Sequence, residues 1–180
     1  MLTRQINSDA NTATLHLPRL FAELTNREHQ TQEQLWGVKF MGIMHYLFKK
    51  MKTSALLVAC NDGDTQTVIR IIMELPEFIN TKSPIGNSLL IIACKMRQEK
   101  IAYFLIKMGA DLNIRGDEGL TALHFAIENN MPKIVETLLN NGADIRIKDD
   151  NGNRPLDIIR PEQGKTYTLV KELADGFGII

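Results

Sequence analysis

Apolar residues recur with helical spacing along most of the chain, in short sets separated by polar turns. Between residues 119 and 145, one set consists of Leu123, Ala126 and Ile127, and a second consists of Ile134, Val135, Leu138 and Leu139. Each set falls on one face of a helix, so the pattern predicts two short helices joined by a turn. Thr121 stands where an N-cap oxygen is needed, and Gly142 stands where a helix C-cap adopts the left-handed conformation. Neither helix is long enough to bury its apolar face alone.

The same pattern returns along the chain at a period of 33 residues. Glycines 86, 119 and 152 follow this period, and "KMGADLNI" at 107–114 returns as "NNGADIRI" at 140–147. An earlier copy, "SALLVACNDGDTQTVIRIIM" at 54–73, places Ala59 34 residues before Ala93. Two-helix units of this kind bury their apolar faces against the next unit along the chain. The repetition therefore predicts a stacked solenoid.

The best-matched copy resembles the ankyrin repeat. "GLTALHFA" at 119–126 is similar to the signature of that family, in which a proline would stand at Ala122, and "NNGADI" at 140–145 is similar to its second-helix ending and hairpin. The resemblance covers roughly residues 53–160 and implies an all-α ankyrin-repeat solenoid of stacked helix-turn-helix units with hairpin turns. The second copy departs from the signature because Ile91 replaces its histidine, and in the fourth copy Pro161 is expected to end the first helix early.

The repeat register divides the chain into six expected segments. They are a flexible N-terminus at 1–14, a helical N-terminal cap at 15–52, a divergent first repeat at 53–82, second and third repeats at 83–115 and 116–148, and a divergent fourth repeat with a C-terminal cap helix at 149–180. The N-terminal cap carries apolar residues near helical spacing, namely Trp36, Phe40, Met44, Leu47 and Met51. We expect these to pack on the first repeat. Their aromatic and methionine content also fits a partner-binding helix.

Composition narrows the function classes. The 180 residues are 44% hydrophobic, which favours one soluble globular domain, and 21 basic residues balance 21 acidic ones without a long run of either sign. No nucleic-acid partner is therefore predicted. The longest apolar stretches, such as "SLLIIAC" at 88–94, fall far short of the ~20 residues that a membrane-spanning helix needs, so we expect no membrane insertion. Because the sequence has only two cysteines, Cys60 and Cys94, we expect a reducing, cytoplasmic location.

Candidates for chemistry are few. We predict no catalytic residue, no metal site, no cofactor and no small-molecule substrate, because none of the local motifs for these occurs. The resemblance implies that His124 is a structural bridge to a neighbouring loop. Cys60 and Cys94 occupy equivalent positions in successive repeats, about 8 to 10 Å apart, which is too far for a disulfide. An enzyme with a dispersed active site stays open as an alternative.

Recognition is the remaining class, and the resemblance implies a concave binding face made of hairpin tips and exposed first-helix positions. The predicted protein-binding residues are Ile85, Asn87, Lys95, Met96, Asp117, Glu118, Leu120, Glu128, Asn129, Asp150 and Asn151. Within this set, Ile85, Met96 and Leu120 are expected to form an exposed apolar hot spot. Around them we expect an acidic rim that would suit a partner with a basic margin, made of Asp117, Glu118 and Glu128.

The resulting hypothesis is a non-catalytic module that binds one intracellular protein of unknown identity and acts as an inhibitor or adaptor. One alternative is an ankyrin-repeat effector that an intracellular bacterium delivers into the host cytoplasm. Another is an architectural subunit of a fixed complex, which would show a larger continuous apolar surface.

Overall fold

The structure, a computed structural model, describes residues 39–160, 163, 164, 166, 168 and 170–172. The chain divides into two compact units, Met1–Lys50 and Met51–Ile180. In the first unit the described residues, 39–50, are all helical. The expected flexible segment at 1–14 and the part of the expected N-terminal cap before residue 39, which includes Trp36, lie outside the described residues.

The second unit is a series of short helices. These are α1 (residues 51–62), α2 (Thr65–Glu74), α3 (Leu89–Lys95), α4 (Glu99–Lys107), α5 (Ala122–Glu128) and α6 (Pro132–Asn140), with 3₁₀ turns at Pro76–Phe78, Asp117–Gly119 and Pro155–Ile158. Across the described residues there is no β-strand, and a single isolated bridge joins Lys82 to Ser88. The predicted all-α fold is confirmed. None of the described helices is long and apolar enough to cross a membrane.

Successive helix pairs stack in register. The first helix of one unit packs on the first helix of the next, as α3 does on α5, and the second helices α4 and α6 pack in the same way. Each of these first helices contains a fully buried small residue, Ala93 in α3 and Ala126 in α5. The helix-turn-helix units therefore share one continuous core, as the repeat pattern predicted.

The turns that follow α4 and α6 are equivalent. Gly109 and Gly142 both have positive φ, at 83° and 94°, which is the left-handed region that glycine enters without a steric cost. In both turns the next residue, Ala110 or Ala143, donates its N–H to the carbonyl five residues earlier at 3.0 Å. The predicted left-handed conformation of Gly142 is confirmed, although the C-cap residue itself is Asn141, and the two turns are equivalent at the 33-residue spacing.

Asparagine side chains connect these turns from one repeat to the next. Asn80 Oδ1 accepts from the Asp111 N–H at 2.9 Å, and Asn113 Oδ1 accepts from the Asp144 N–H at 2.8 Å. The next position in the period is Arg146, whose guanidinium can only donate. The ladder of side-chain acceptors therefore ends at the third repeat.

Both cysteines are free and buried, which agrees with their prediction as small core residues. Cys60 Sγ donates to the Leu89 carbonyl at 3.3 Å. Burial raises the pKa of Cys60 to about 12, and burial also raises the pKa of Cys94. A thiol that stays protonated is a poor nucleophile, so both act as packing residues.

The fourth repeat departs from the helical pattern before Pro161, the expected helix-ending residue, which lies outside the described residues. The 3₁₀ turn Pro155–Ile158 stands in place of a first helix, and Ile159 has an extended conformation. Farther along, residues 166, 168 and 170–172 are helical, and Thr166 and Val170 are fully buried. Thr166 Oγ1 donates to Asn130 Oδ1 at 2.6 Å, which ties this helical segment to the third repeat.

Candidate functional site

A groove of about 660 Å³ runs between the hairpin tips and the carboxyl-terminal ends of the first helices. Three successive repeats contribute its walls, which consist of Arg97, Leu120, Glu128, Asn129, Asn130, Asp149, Ile158, Arg160 and Gln163. Most of the described lining residues are polar or charged, and Leu120 and Ile158 are the apolar ones among them. The groove therefore forms only where the repeats stack, because no single repeat contains all of its lining residues.

Side-chain amides form one wall of the groove. Asn129 Nδ2 donates to the carbonyls of Cys94 and Lys95 at 3.0 and 3.2 Å, at the end of α3. One repeat later, Gln163 Nε2 donates to the carbonyls of residues 127 and 128 at 2.7 and 3.3 Å, at the end of α5. Each amide satisfies carbonyls that a helix end leaves unpaired. Asn129 and Gln163 therefore hold adjacent repeats together.

The turns between first and second helices place a left-handed residue at one repeated position. That position holds Gly63, Arg97, Asn130 and Gly164, whose φ angles are 78°, 57°, 53° and 50°. Glycine and asparagine enter this region readily, whereas other L-residues pay a steric penalty of about 1 to 2 kcal/mol. Arg97 is the departure from the series, and its side chain lines the groove.

The groove carries charges of both signs. Arg97, Arg160 and Glu128 are exposed. Among the residues that the structure describes, none of these three takes part in an ion pair. Their charged groups are consequently available to a ligand of opposite charge.

Asp149, by contrast, is held by its own loop. Its Oδ1 accepts the N–H groups of Asn151 and Asn153 at 3.0 and 2.7 Å. Burial opposes ionisation of this carboxyl, but the hydrogen bonds from Asn153 and Asn151 outweigh it and lower the pKa of Asp149. The Asp149 carboxylate therefore stabilises the fourth hairpin through these hydrogen bonds.

His124 bridges the third and fourth repeats. Its ring is fully buried, Nδ1 accepts the Thr121 N–H at 3.1 Å, and Nε2 lies 3.3 Å from the Asn153 carbonyl. Because Nδ1 accepts, the proton is on Nε2, which donates to that carbonyl. Burial lowers the pKa of His124, so the neutral ring is favoured. The predicted structural role of His124 is confirmed.

The comparison with protein families agrees with this architecture. A family model described as ankyrin repeats, in three copies, matches residues 35–116 and 56–149, together more than half of the chain. The chain belongs to the ankyrin-repeat family. Ankyrin repeats generally mediate protein–protein interaction. A comparison with curated proteins found no match.

Three residues of the predicted ankyrin contact set are not exposed, because Asn87 is buried and Leu120 and Asn129 are half-buried. Leu120 is half-buried and packs against the core, so the expectation that it is a solvent-exposed apolar tip is wrong. Asn87 is buried, and its Oδ1 accepts the Asp117 N–H at 2.8 Å, so its expected role as a contact residue is also wrong. Asn87 is thus bonded to the next hairpin, and Leu120 packs against the core.

Other residues of the set are exposed. Ile85 and Met96 are 59% and 43% exposed, and their part in binding stays a prediction. Asp150 is exposed and forms an ion pair with Arg115 at 2.6 Å. The others that face solvent are Lys95, Asp117, Glu118, Glu128 and Asn151. Lys95 Nζ lies 5.5 Å from the centroid of the Phe125 ring, where the aromatic face attracts it.

Of the predicted contact residues, only Leu120, Glu128 and Asn129 line the groove. The residues that sequence reasoning missed are Arg97, Asn130, Asp149, Ile158, Arg160 and Gln163. One signal could have identified Arg97, which stands 33 residues before Asn130 in a turn that elsewhere holds glycine or asparagine. Within the described residues, no group of three or more His, Cys, Asp or Glu side chains is arranged to hold a metal ion.

Proposed function

We propose that this chain is a non-catalytic ankyrin-repeat module that binds one protein partner in the groove and acts as an inhibitor or adaptor. The observation that carries the proposal is that three repeats jointly build a groove whose charged groups Arg97, Glu128 and Arg160 have no ion-pair partner among the described residues. A groove assembled from successive repeats suits an extended polypeptide segment that contacts several repeats together.

The distribution of charge sets the character of the partner. Two arginines favour carboxylates in the bound segment, and Glu128 favours a basic residue beside them. The half-buried Leu120 and Ile158 offer a small apolar area between these charges. We therefore propose a partner segment of mixed charge, in place of the basic margin expected from the acidic rim alone.

A cytoplasmic location is part of this proposal, and it rests on the two buried free thiols, which suit a reducing compartment. Delivery into a host cytoplasm as a bacterial effector is compatible with the same groove, because recognition by the groove depends on its charges and not on the origin of the protein.

A pair of glutamates in the third repeat provides the test. Glu128 lines the groove, whereas Glu136 is exposed on the second helix α6 of the same repeat and does not line it. Glu128→Arg and Glu136→Arg change the net charge equally. Each variant and the wild-type chain serve as bait in affinity purification from native cells, with quantitative mass spectrometry of the captured proteins.

We expect one protein to be enriched by the wild-type and Glu136→Arg baits and lost with Glu128→Arg. Binding measured by calorimetry should weaken about 30-fold with Glu128→Arg, which corresponds to the ~2 kcal/mol of a central contact, and change little with Glu136→Arg. Melting curves of both variants should match the wild type, since neither position is in the core. Equal capture by all three baits would show that the partner binds elsewhere.

A further inference from the structure

The helix at residues 39–50, which forms the described part of the first unit, exposes large apolar side chains. Six of them are between 46% and 70% exposed, namely Phe40, Met41, Ile43, Met44, Leu47 and Phe48. Isolated exposed hydrophobic residues are ordinary on a protein surface, but a contiguous set of this size marks an interaction surface. We call these six residues the apolar stripe.

The apolar stripe occupies one side of the helix. At 3.6 residues per turn its members span about 160° of the circumference, and no polar residue falls within that arc. The rest of the circumference carries Lys39, His45, Lys49 and Lys50, together with a glycine and a tyrosine. The apolar arc is wider than the narrow seam of a coiled coil and approaches half of the helix surface.

The charge around the stripe has one sign. Residues 34–50 contain no Asp or Glu, and within them are Lys39, Lys49 and Lys50, whereas the next lysine, Lys52, forms an ion pair with Glu74 at 3.2 Å. Lys39 and Lys50 lie at the border of the apolar arc, where a long side chain can extend its ammonium group toward an interface while its methylenes stay on apolar surface. A second copy of the chain would bring lysine against lysine, which disfavours self-association along this face.

A wide apolar face bordered by lysines, with no acidic residue, is the pattern of a helix that lies in the plane of a membrane surface. We propose that residues 39–50 bind an anionic lipid bilayer, with the apolar stripe at the level of the upper acyl chains and the lysines among the headgroup phosphates and carboxylates. The helix lies on the membrane and does not span it. The apolar stripe and the groove have no residue in common.

The test is vesicle co-sedimentation of the full chain. Vesicles of phosphatidylcholine alone are compared with vesicles containing about 30% phosphatidylserine, whose negative surface potential attracts lysines. We expect binding to the anionic vesicles to be at least about tenfold tighter, and to fall when the salt is raised to about 1 M, where the Debye length is only about 3 Å. Equal binding to both kinds of vesicle, or to neither, would overturn the proposal.

Two matched pairs of variants locate the surface. Met44→Glu lies in the stripe, and Met73→Glu replaces a methionine of α2 that is 62% exposed. The border double variant combines Lys39→Glu with Lys50→Glu. Its control makes the same charge change at two exposed lysines of the repeats, Lys100 and Lys133. Circular dichroism and thermal melts check that each variant keeps the wild-type fold.

We expect Met44→Glu and the border double variant each to weaken anionic-vesicle binding at least about tenfold, since two lysines near a charged surface together contribute this much. Both control variants should bind vesicles as the wild type does. If the controls lose binding equally, the attraction is a general effect of net charge and the proposal fails. If sedimentation without lipid shows a dimer that Met44→Glu dissociates, the stripe is a self-association surface instead.

Discussion

Replacing His124 by leucine tests the bridge between the third and fourth repeats. The substitution keeps a side chain of similar volume in a fully buried site but removes both ring nitrogens. The Thr121 N–H then loses its acceptor at 3.1 Å, and the Asn153 carbonyl loses its donor at 3.3 Å. Leaving a buried polar group unpaired costs about 1 to 3 kcal/mol, and less where water can reach it, as at the half-buried Asn153. We expect a loss of about 2 to 4 kcal/mol in the free energy of unfolding.

The loss should depend on pH, and its sign follows from the pKa of His124. Burial lowers that pKa below its ordinary value of 6.5. Below pH 6.5 the unfolded chain therefore binds a proton at residue 124 that the folded chain does not bind, so acid destabilises the wild type. The contribution is fully present above pH 6.5 and declines as the pH falls toward the folded pKa. His124→Leu lacks this term, so the two proteins should become more similar in acid.

The assay is urea unfolding followed by circular dichroism, at about pH 8 and about pH 5, on either side of the ordinary histidine pKa. The matched control is Ile91→Leu, because Ile91 is buried at the equivalent position of the preceding repeat and makes no ring hydrogen bond. This volume-conserving change should cost less than about 1.5 kcal/mol at either pH. Coincident curves for His124→Leu and the wild type at pH 8, or a difference that is the same at both pH values, would refute the bridge.

Two further predictions concern the stacked core and the left-handed turn. Ala126→Leu should overpack the contact between first helices at a cost of typically 1 to 3 kcal/mol, and Leu138→Ala should cost about 2 to 5 kcal/mol by opening a cavity, because both side chains are fully buried. Unchanged midpoints in urea would place these residues outside the core. Arg97→Gly should raise the free energy of unfolding by about 0.5 to 1 kcal/mol, because relief of the left-handed strain exceeds the added freedom of the unfolded chain. Loss of the guanidinium should also weaken partner binding, measured by calorimetry. A less stable Arg97→Gly variant would show that the arginine is not strained in this turn.

The repeat register could be predicted from the sequence because each of its signals is local. The helical spacing of Leu123, Ala126 and Ile127 requires only that a helix hide its apolar face, and the positive φ of Gly142 follows from its place after the last helical residue. The small size of Ala126 likewise predicted close helix packing. The family and the all-α fold follow from these residues without any knowledge of tertiary contacts.

The exposure of the hairpin tips could not be read in the same way. Leu120 and Asn87 stand at tip positions, but Leu120 packs against the core and Asn87 bonds to the next hairpin. Whether a tip side chain faces solvent depends on how the following repeat covers it. That information lies about 30 residues away in the chain and is not expressed in local spacing.

The groove is the feature that only the tertiary structure decided. The sequence by itself determined the repeating unit, its caps and its core, because helix periodicity and turn chemistry act over a few residues. Arg97, Glu128 and Arg160 come from three repeats and share one groove only after the repeats have stacked. Stacking also determines which polar groups are hydrogen-bonded within the protein and which charges stay available to a partner. The Asn129 amide, for example, donates to the carbonyls at the end of α3. Local pattern thus specifies the unit, and the geometry of packing between units specifies the binding surface.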